Sequence, residues 1–214
     1  MFPTPRADLA PMSVAYETTP LVKPTGFREY DARWLYGSEL NLMGVHALGL
    51  GLGTYFAERG ERRVVVGHDF RSYSLSIKQA LTLGLVGAGC EVLDIGMAVT
   101  PMAYFAQFDL EAPCVAMVTA SHNENGWTGV KMGAEPPLTF GPVEIGRLKE
   151  IVLTGAWIPK RLISFSNSQR ASYSRKPVAL TSGIVSNSAV LGLRSARGAA
   201  SMGPPGLYVA AYNG

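Results

Sequence analysis

The sequence predicts an α/β protein: a three-layer αβα domain with a mixed, mostly parallel sheet, followed by a disordered tail. Between residues 25 and 156, short apolar runs rich in β-branched residues alternate with segments of helical periodicity. Such alternation is typical of a sheet that helices cover on both faces. From residue 157 onward the alternation stops and the composition changes, so the predicted domain ends at residue 156.

The predicted elements follow from helical periodicity, capping residues and strand-like composition. Ser38 is the predicted N-cap of a first helix that runs to about Arg59 and ends at Gly60. Four glycines inside this helix each weaken it by about 1 kcal/mol relative to alanine, and close packing on the sheet is the expected compensation. Further strands are predicted at residues 63–66, 90–95, 114–118 and 130–132, and further helices at residues 72–88, 101–108 and 142–153.

The two ends of the chain differ from the domain in composition. Residues 1–24 contain five prolines with little periodicity and are predicted to form a flexible leader, with Val14 and Leu21 touching the domain surface. Residues 157–214 contain no acidic residue, ten serines and seven basic residues. They are predicted to be disordered, either as a natural Ser-rich tail or, as the composition favours, as the product of a shifted reading frame.

Composition also restricts the function classes. A net charge of +3 is too small to indicate a nucleic-acid partner, and no apolar run approaches the roughly 18 residues of a membrane-spanning helix. The first residues lack the apolar core of a secretory signal, so a cytoplasmic protein is expected. Cys90 and Cys114 are predicted to be buried free thiols, and the histidines at positions 46, 68 and 122 form no metal-ligand spacing with them.

A serine loop follows the strand predicted at residues 114–118. Residues 119–123 read TASHN and precede a turn signal at residues 124–126. A serine at a strand exit stands out of the sheet and can meet a ligand, although its hydroxyl needs a base, a cation or prior phosphorylation to react. The alternative is a plain polar turn in which the side chains bond their own backbone.

Three further motifs precede this loop along the chain. They read FREYDAR at residues 27–33, VVVGHDFRS at residues 64–72 and TP at residues 100–101. Together with TASHN, these motifs resemble the first domain of the α-D-phosphohexomutases, the phosphoglucomutase/phosphomannomutase family. Within the second motif, Asp69 and Arg71 are predicted to pair and to hold a loop.

Several positions depart from the family pattern. Trp34 replaces a glycine, His68 replaces an arginine, and Glu124 replaces the proline that follows the serine motif. A Thr-Gly pair at residues 128–129 stands where the family has Asn-Gly. The next lysine, at position 131, nevertheless keeps the family's spacing from the serine.

The resemblance implies an enzyme that interconverts hexose 1-phosphates and hexose 6-phosphates through a phosphoserine and a bisphosphate intermediate. Ser121 is then the phosphorylated nucleophile, and its phosphate supplies one ligand to Mg²⁺. Lys131 and Arg33 are candidates for general acid/base catalysis or charge stabilisation, and His122 is a candidate catalytic residue beside the serine. The implied partners are a hexose phosphate and a hexose 1,6-bisphosphate.

The resemblance also implies a set of substrate-binding residues, which are Tyr30, Arg33, His122, Asn123 and Lys131. In this set His122 and Asn123 orient the loop and the sugar, and Tyr30 lines the pocket. Two alternatives stay open at this point. Arg33 is otherwise a surface cation, and Tyr30 is otherwise a core aromatic residue with a satisfied hydroxyl.

The resemblance covers residues 27 to about 150, which corresponds to the first domain of the family alone. The family's acidic metal motif, Asp-x-Asp-x-Asp-Arg, has no counterpart, because the last aspartate of the sequence is Asp109. We therefore predict a truncated mutase fragment with negligible activity of its own. The alternative is a non-catalytic module that binds phosphate or a sugar phosphate and carries a natural disordered tail. A nucleotide-binding α/β domain is disfavoured, because the sequence contains neither a P-loop nor a strand-linked G-x-G-x-x-G motif.

Overall fold

Strands and helices alternate along the chain in the computed structural model, which describes residues 2–157. The strands are β1 (Ala32–Leu35), β2 (Arg63–His68), β3 (Glu91–Met97), β4 (Cys114–Val118) and β5 (Trp127–Gly133). The helices are α1 (Val14–Thr18), α2 (Leu42–Glu58), α3 (Ser74–Gly87), α4 (Thr100–Asp109) and α5 (Pro142–Thr154). A short 3-10 helix at Pro24–Gly26 precedes β1.

The strands of the described residues form a mixed sheet in the order β1-β5-β4-β2-β3. Strand β2 pairs in parallel with both β3 and β4, whereas β5 is antiparallel to both β4 and β1. All strands except β5 therefore run in one direction, which confirms the predicted mixed sheet. Because His68 lies opposite Val118, the carboxyl ends of β2 and β4 are adjacent, and the loops that follow them meet at one edge of the sheet.

Helices cover both faces of the sheet. Side chains alternate along β2, so that Val64 and Val66 pack in the cluster of α2, α3 and α5, whereas Val65 packs with Ala103 of α4. Burying a valine or leucine side chain stabilises a fold by about 1.5–3 kcal/mol, so these two clusters account for much of the cohesion of the domain. The arrangement confirms the predicted three-layer αβα architecture.

The start of helix α2 differs from the prediction. Its N-cap is Asn41, and Ser38 is an exposed residue outside the helix, so the predicted cap is wrong. Asn41 Oδ1 accepts hydrogen bonds from the backbone N–H groups of Gly44 (2.7 Å) and Leu21 (2.9 Å). One side chain therefore caps the helix and also ties it to an earlier segment, an advantage that Ser38 lacks.

At Gly49, helix α2 packs closely on another helix rather than on the sheet. A Cβ atom at Gly49 would overlap the carbonyl oxygen of Leu81 on α3, and a Cβ atom at Gly84 of α3 would overlap the carbonyl oxygen of His46. Helices α2 and α3 thus approach each other backbone to backbone, which only residues without a side chain permit. The expectation of packing on the sheet is wrong for this pair of helices.

Most other elements lie within two residues of their predicted boundaries, but helix α1 was not predicted and two strands differ. The strand predicted at residues 114–118 coincides with β4, but the strand predicted at residues 130–132 extends to Trp127–Gly133. Strand β1 has no counterpart in the prediction. It forms because its backbone pairs with β5, with Ala32 opposite Val130.

The segment predicted to be a flexible leader instead packs against the domain. Leu21 and Val22 are completely buried, and the backbone N–H of Val22 donates a hydrogen bond to the carbonyl oxygen of Arg6 (3.0 Å). Val14, which was expected to touch the domain, is exposed on α1. The proline-rich composition therefore reflects an irregular path across the surface rather than a lack of packing.

At the other end, the described domain extends one residue beyond its predicted boundary. Trp157 is buried in a small apolar cluster with Ala47 and Leu50 of α2. The rest of the predicted tail, residues 158–214, lies outside the described residues. Within residues 2–157, Cys90 and Cys114 are buried free thiols, as predicted, and no helix has the length and apolar character needed to cross a membrane.

Candidate functional site

The serine loop leaves β4 at the carboxyl edge of the sheet. The backbone N–H of Thr119 donates a hydrogen bond to the carbonyl oxygen of Gly129 on β5 (3.0 Å), and Thr119 Oγ1 accepts one from the N–H of Ser121 (2.9 Å). Ser121 has a φ of 57°, a left-handed conformation that is uncommon for residues other than glycine. The residue is exposed, so its hydroxyl is accessible to a ligand.

The two residues after Ser121 differ in how they are held. His122 is exposed, and its Nδ1 lies 3.5 Å from Ser121 Oγ, at the outer limit of a hydrogen bond. Asn123 Oδ1 accepts a hydrogen bond from Arg33 Nη1 (2.5 Å). The alternative of a plain polar turn therefore describes Thr119, whose hydroxyl bonds within the loop, but not Asn123, which binds a cation from another strand.

Strands β1 and β5 bring two cations to the same face of the sheet. Ala32 and Val130 are opposite each other and face the cluster of α2, so their neighbours Arg33 and Lys131 face the other side. The side chains of Arg33 and Lys131 are 12% and 26% exposed. This burial rules out the alternative of Arg33 as a surface cation.

Asp31 holds these two cations together, a role that the sequence analysis did not assign. Its Oδ2 accepts hydrogen bonds from Arg33 Nε (2.9 Å) and Nη2 (2.7 Å) and lies 4.0 Å from Lys131 Nζ. No sequence signal pointed to this role, because β1 was not predicted and Asp31 lies just before that strand. One carboxylate between two cations leaves the group with a net positive charge, which suits the binding of a phosphoryl group.

Two tyrosines have a raised hydroxyl pKa. Tyr30 is 59% exposed, so it is not a core aromatic residue, and its hydroxyl makes no hydrogen bond with Arg33 or Lys131. A hydrogen bond to Glu29, together with the charge of that carboxylate, raises the pKa of the Tyr30 hydroxyl. On α4, burial and then the charge of Asp31 raise the pKa of Tyr104.

The loop that follows β2 lies against the serine loop. The backbone N–H of Asp69 donates a hydrogen bond to the carbonyl oxygen of Val118 (3.0 Å). Arg71 Nε lies 3.4 Å from Asp69 Oδ2, an ion pair whose geometry is not that of a hydrogen bond. The predicted pairing is confirmed. His68, where the family has an arginine, is buried with its Nδ1 2.8 Å from the carbonyl oxygen of Asp69.

The magnesium ion that the resemblance implies does not fit the described residues. A Mg²⁺ ion is held by several oxygen ligands, and protein carboxylates usually supply some of them. Within residues 2–157, no three His, Cys, Asp or Glu side chains come together in a way that would hold a metal. A phosphate on Ser121 would supply one oxygen ligand. The chemistry available to the described domain is therefore that of its own cations and of the serine loop.

The fold and the site define a class of protein, an αβα domain that presents an exposed serine beside paired cations at the carboxyl edge of its sheet. Residues 24–157 match the family model of the phosphoglucomutase/phosphomannomutase α/β/α domain I. This match spans more than half of the sequence. The chain belongs to the phosphoglucomutase/phosphomannomutase family.

Curated relatives are similar to this domain over a limited part of their length. A probable phosphoglucosamine mutase of Pyrococcus furiosus is 42% identical over 105 residues, which are 49% of this chain and 23% of the relative. A phosphomannomutase/phosphoglucomutase of Pseudomonas aeruginosa is 36% identical over 113 residues, which are 53% of this chain and 24% of the relative. The chain thus spans about a quarter of the length of these relatives.

Solved structures show the same fold. A putative phosphomannomutase from Thermus thermophilus superposes with a TM-score of 0.57 at 32% identity, covering 62% of this chain and 30% of that one. A phosphoglucomutase/phosphomannomutase family protein from Burkholderia thailandensis gives a TM-score of 0.61 at 26% identity, covering 65% and 32%. Both comparisons confirm the predicted α/β fold class.

Proposed function

We propose that this domain supplies the phosphoserine of a hexose-phosphate mutase, with Ser121 as the residue that carries the phosphoryl group. The observation that carries the proposal is an exposed serine on a loop whose Asn123 is bonded to Arg33 (2.5 Å). This bond brings a cation to the loop, and phosphoryl transfer depends on positioning and on converging positive charge. The names of the relatives, phosphoglucosamine mutase and phosphomannomutase/phosphoglucomutase, support a hexose phosphate as the substrate.

In the proposed reaction, phosphoserine passes its phosphoryl group to a free hydroxyl of a hexose phosphate. The bond from phosphorus to Ser121 Oγ breaks, a bond from phosphorus to the sugar oxygen forms, and the proton of the sugar hydroxyl passes to Ser121 Oγ. Lys131 or His122 relays this proton, and Arg33 stabilises the charge on the transferring oxygens. The bisphosphate then reorients and returns its other phosphoryl group to the serine by the same steps in reverse.

We further propose that the 214-residue chain alone has negligible mutase turnover. Arg33 and Lys131 offset part of the charge of the transition state, and a metal ion would contribute several kcal/mol more. The described residues do not form a metal centre, and the chain spans about a quarter of the length of its relatives. Robust conversion of glucose 1-phosphate to glucose 6-phosphate by the purified chain contradicts this proposal.

The assignment of Ser121 is tested in a chimera in which residues 24–157 replace the matching domain of the Pseudomonas aeruginosa relative. After incubation with glucose 1,6-bisphosphate, phosphopeptide analysis should find phosphate on Ser121. Ser121→Ala should abolish turnover, whereas Ser76→Ala, an exposed serine on α3, should leave it unchanged. Near-normal turnover of the Ser121→Ala chimera refutes the assignment. Binding of the bisphosphate without phosphorylation favours the alternative of a sugar-phosphate-binding module.

A further inference from the structure

The guanidinium of Arg71 faces the backbone of the serine loop. Its Nη1 donates a hydrogen bond to the carbonyl oxygen of Glu124 (2.9 Å). Its Nη2 donates one to the carbonyl oxygen of Asn123 (2.6 Å) and lies 3.5 Å from that of Ser121. The Arg71 side chain is 10% exposed. The buried guanidinium of the loop after β2 thus contacts three carbonyl groups of the serine loop.

Neighbouring side chains hold this arrangement in place. Asp69 Oδ1 accepts a hydrogen bond from the backbone N–H of Arg71 (3.2 Å), and Asp69 Oδ2 lies 3.4 Å from Arg71 Nε. Tyr73 Oη accepts a hydrogen bond from the N–H of Gly126 (2.9 Å) and donates one to the carbonyl oxygen of Trp127 (2.8 Å). Arg71 therefore holds the middle of the loop, and Tyr73 holds its end.

These contacts fix the orientation of the peptide groups of the loop. In a trans peptide the C=O and N–H bonds point in opposite directions, so a carbonyl that faces Arg71 turns the following N–H away from it. The N–H groups concerned are those of His122, Glu124 and Asn125. None of them has a hydrogen-bond partner within the described residues. The left-handed conformation of Ser121 belongs to the same turn.

We propose that Arg71 is a positioning residue of the phosphoserine loop. By drawing three carbonyl groups inward, it keeps Ser121 in its left-handed conformation and leaves the free N–H groups of the loop available to the phosphoryl group. The inference rests on the proposed function of Ser121. A planar guanidinium offers several donors in a fixed fork, whereas an ammonium is a single point charge, so lysine is not an adequate substitute.

The test uses the full 214-residue chain and compares Arg71→Lys with Arg62→Lys. Arg62 is a matched control because its guanidinium also donates to a backbone carbonyl, that of Ala88 (3.0 Å), away from the serine loop. Both substitutions keep the charge and remove the fork. A loss that is specific to Arg71→Lys is therefore a loss of the geometry at the serine loop.

The first readout is hydrogen exchange at the loop amides that are bonded in the folded chain. These are the N–H groups of Ser121, Asn123 and Gly126. We expect exchange at least about tenfold faster in Arg71→Lys. Without the three contacts to the guanidinium, local opening of the loop costs less free energy and occurs more often. Exchange in Arg62→Lys should equal that of the unchanged chain.

The second readout is specific to the phosphoryl site. Phosphoserine is installed at position 121, and phosphorus NMR follows its second pKa, which is ordinarily about 6. A loop held beside Arg33 should keep this pKa below its ordinary value, because a nearby cation favours the dianion. Arg71→Lys should raise the pKa by roughly half a unit toward its ordinary value, and Arg62→Lys should not change it.

Unchanged exchange together with an unchanged titration in Arg71→Lys overturns the proposal. Faster exchange with an ordinary phosphoserine pKa in every chain supports the positioning role and argues against the proposed function of Ser121, so the two ideas fail separately. If circular dichroism shows that Arg71→Lys is unfolded, Arg71→Gln replaces it, since this change also removes the guanidinium fork that contacts the three carbonyl groups. Unchanged loop exchange in Arg71→Gln then overturns the proposal.

Discussion

Removing the carboxylate of Asp31 should destabilise the domain more than removing the arginine that it binds. Asp31 and Arg33 side chains are 13% and 12% exposed, and Lys131 Nζ lies 4.0 Å from the same carboxylate oxygen. Asp31→Ala leaves two partly buried cations facing each other without a counter-charge. Breaking a buried ion pair in this way costs about 3–5 kcal/mol, and the partial exposure of Lys131 favours the lower end, about 3 kcal/mol.

Arg33→Met should cost less, about 1–2 kcal/mol. The methionine keeps the apolar stem, and Asp31 retains Lys131 as a counter-charge, so no ion is left alone. Urea unfolding of each variant, followed by tryptophan fluorescence, gives the change in free energy if the slope against denaturant is unchanged.

The control is Asp8→Ala. Asp8 pairs with Arg6 at 2.7 Å and with the same spacing along the chain, but both side chains are more than half exposed. Little change is therefore expected, because water already solvates both ions. The reasoning is refuted if Arg33→Met destabilises the domain more than Asp31→Ala, or if Asp31→Ala is no worse than Asp8→Ala.

Three further predictions concern the scaffold. Asp94→Ala should cost about 3 kcal/mol in urea unfolding and Lys78→Met less than half as much, because Lys78 is buried (5% exposed) while Asp94 is 31% exposed and remains hydrated when alone. Burial raises the pKa of the Cys90 thiol to about 11 from 9.0. The contribution of the buried neutral thiol to the free energy of unfolding is therefore complete below pH 9 and is lost as the pH rises through 11. The stability of the natural chain relative to Cys90→Ala should therefore fall by about 2–3 kcal/mol over that interval, as measured by urea unfolding at each pH. Gly49→Ala should lower the melting temperature because its methyl group meets the backbone of α3, whereas Gly146→Ala, in open space on α5, should raise it with a gain of up to about 1 kcal/mol.

Sequence patterns predicted those elements whose own residues determine their structure. Strand β4 was predicted to the residue because its five side chains are apolar and buried, so both faces of the strand carry the signal. Strand β1 was missed because Arg33 interrupts its apolar residues. Its extended conformation depends on the partner strand β5, which lies far along the chain.

The same distinction applies to the site residues that the sequence predicted and to the contacts that it did not predict. Ser121, Lys131 and Arg33 stand in recognisable motifs, and the fold brings Arg33 to the serine loop through Asn123. The contacts of Arg71 with that loop were not foreseen, because its acceptors are backbone carbonyl groups, and every residue type carries one. The prediction of the N-cap of α2 failed for a related reason, since the second contact of Asn41 is with the distant backbone N–H of Leu21.

The pairing of β1 with β5 determines when during synthesis the site can exist. Arg33 leaves the ribosome early, but it acquires its strand partner only after residue 129 has also emerged. A nascent chain that ends before Trp127 already contains Ser121, yet it lacks Lys131 and the strand to which Thr119 is bonded. Pairing between such distant segments is a late and slow folding event. Under the proposed function, Ser121 should therefore be phosphorylated only after the domain has folded, and an unfinished chain should not take up phosphoryl groups from sugar phosphates.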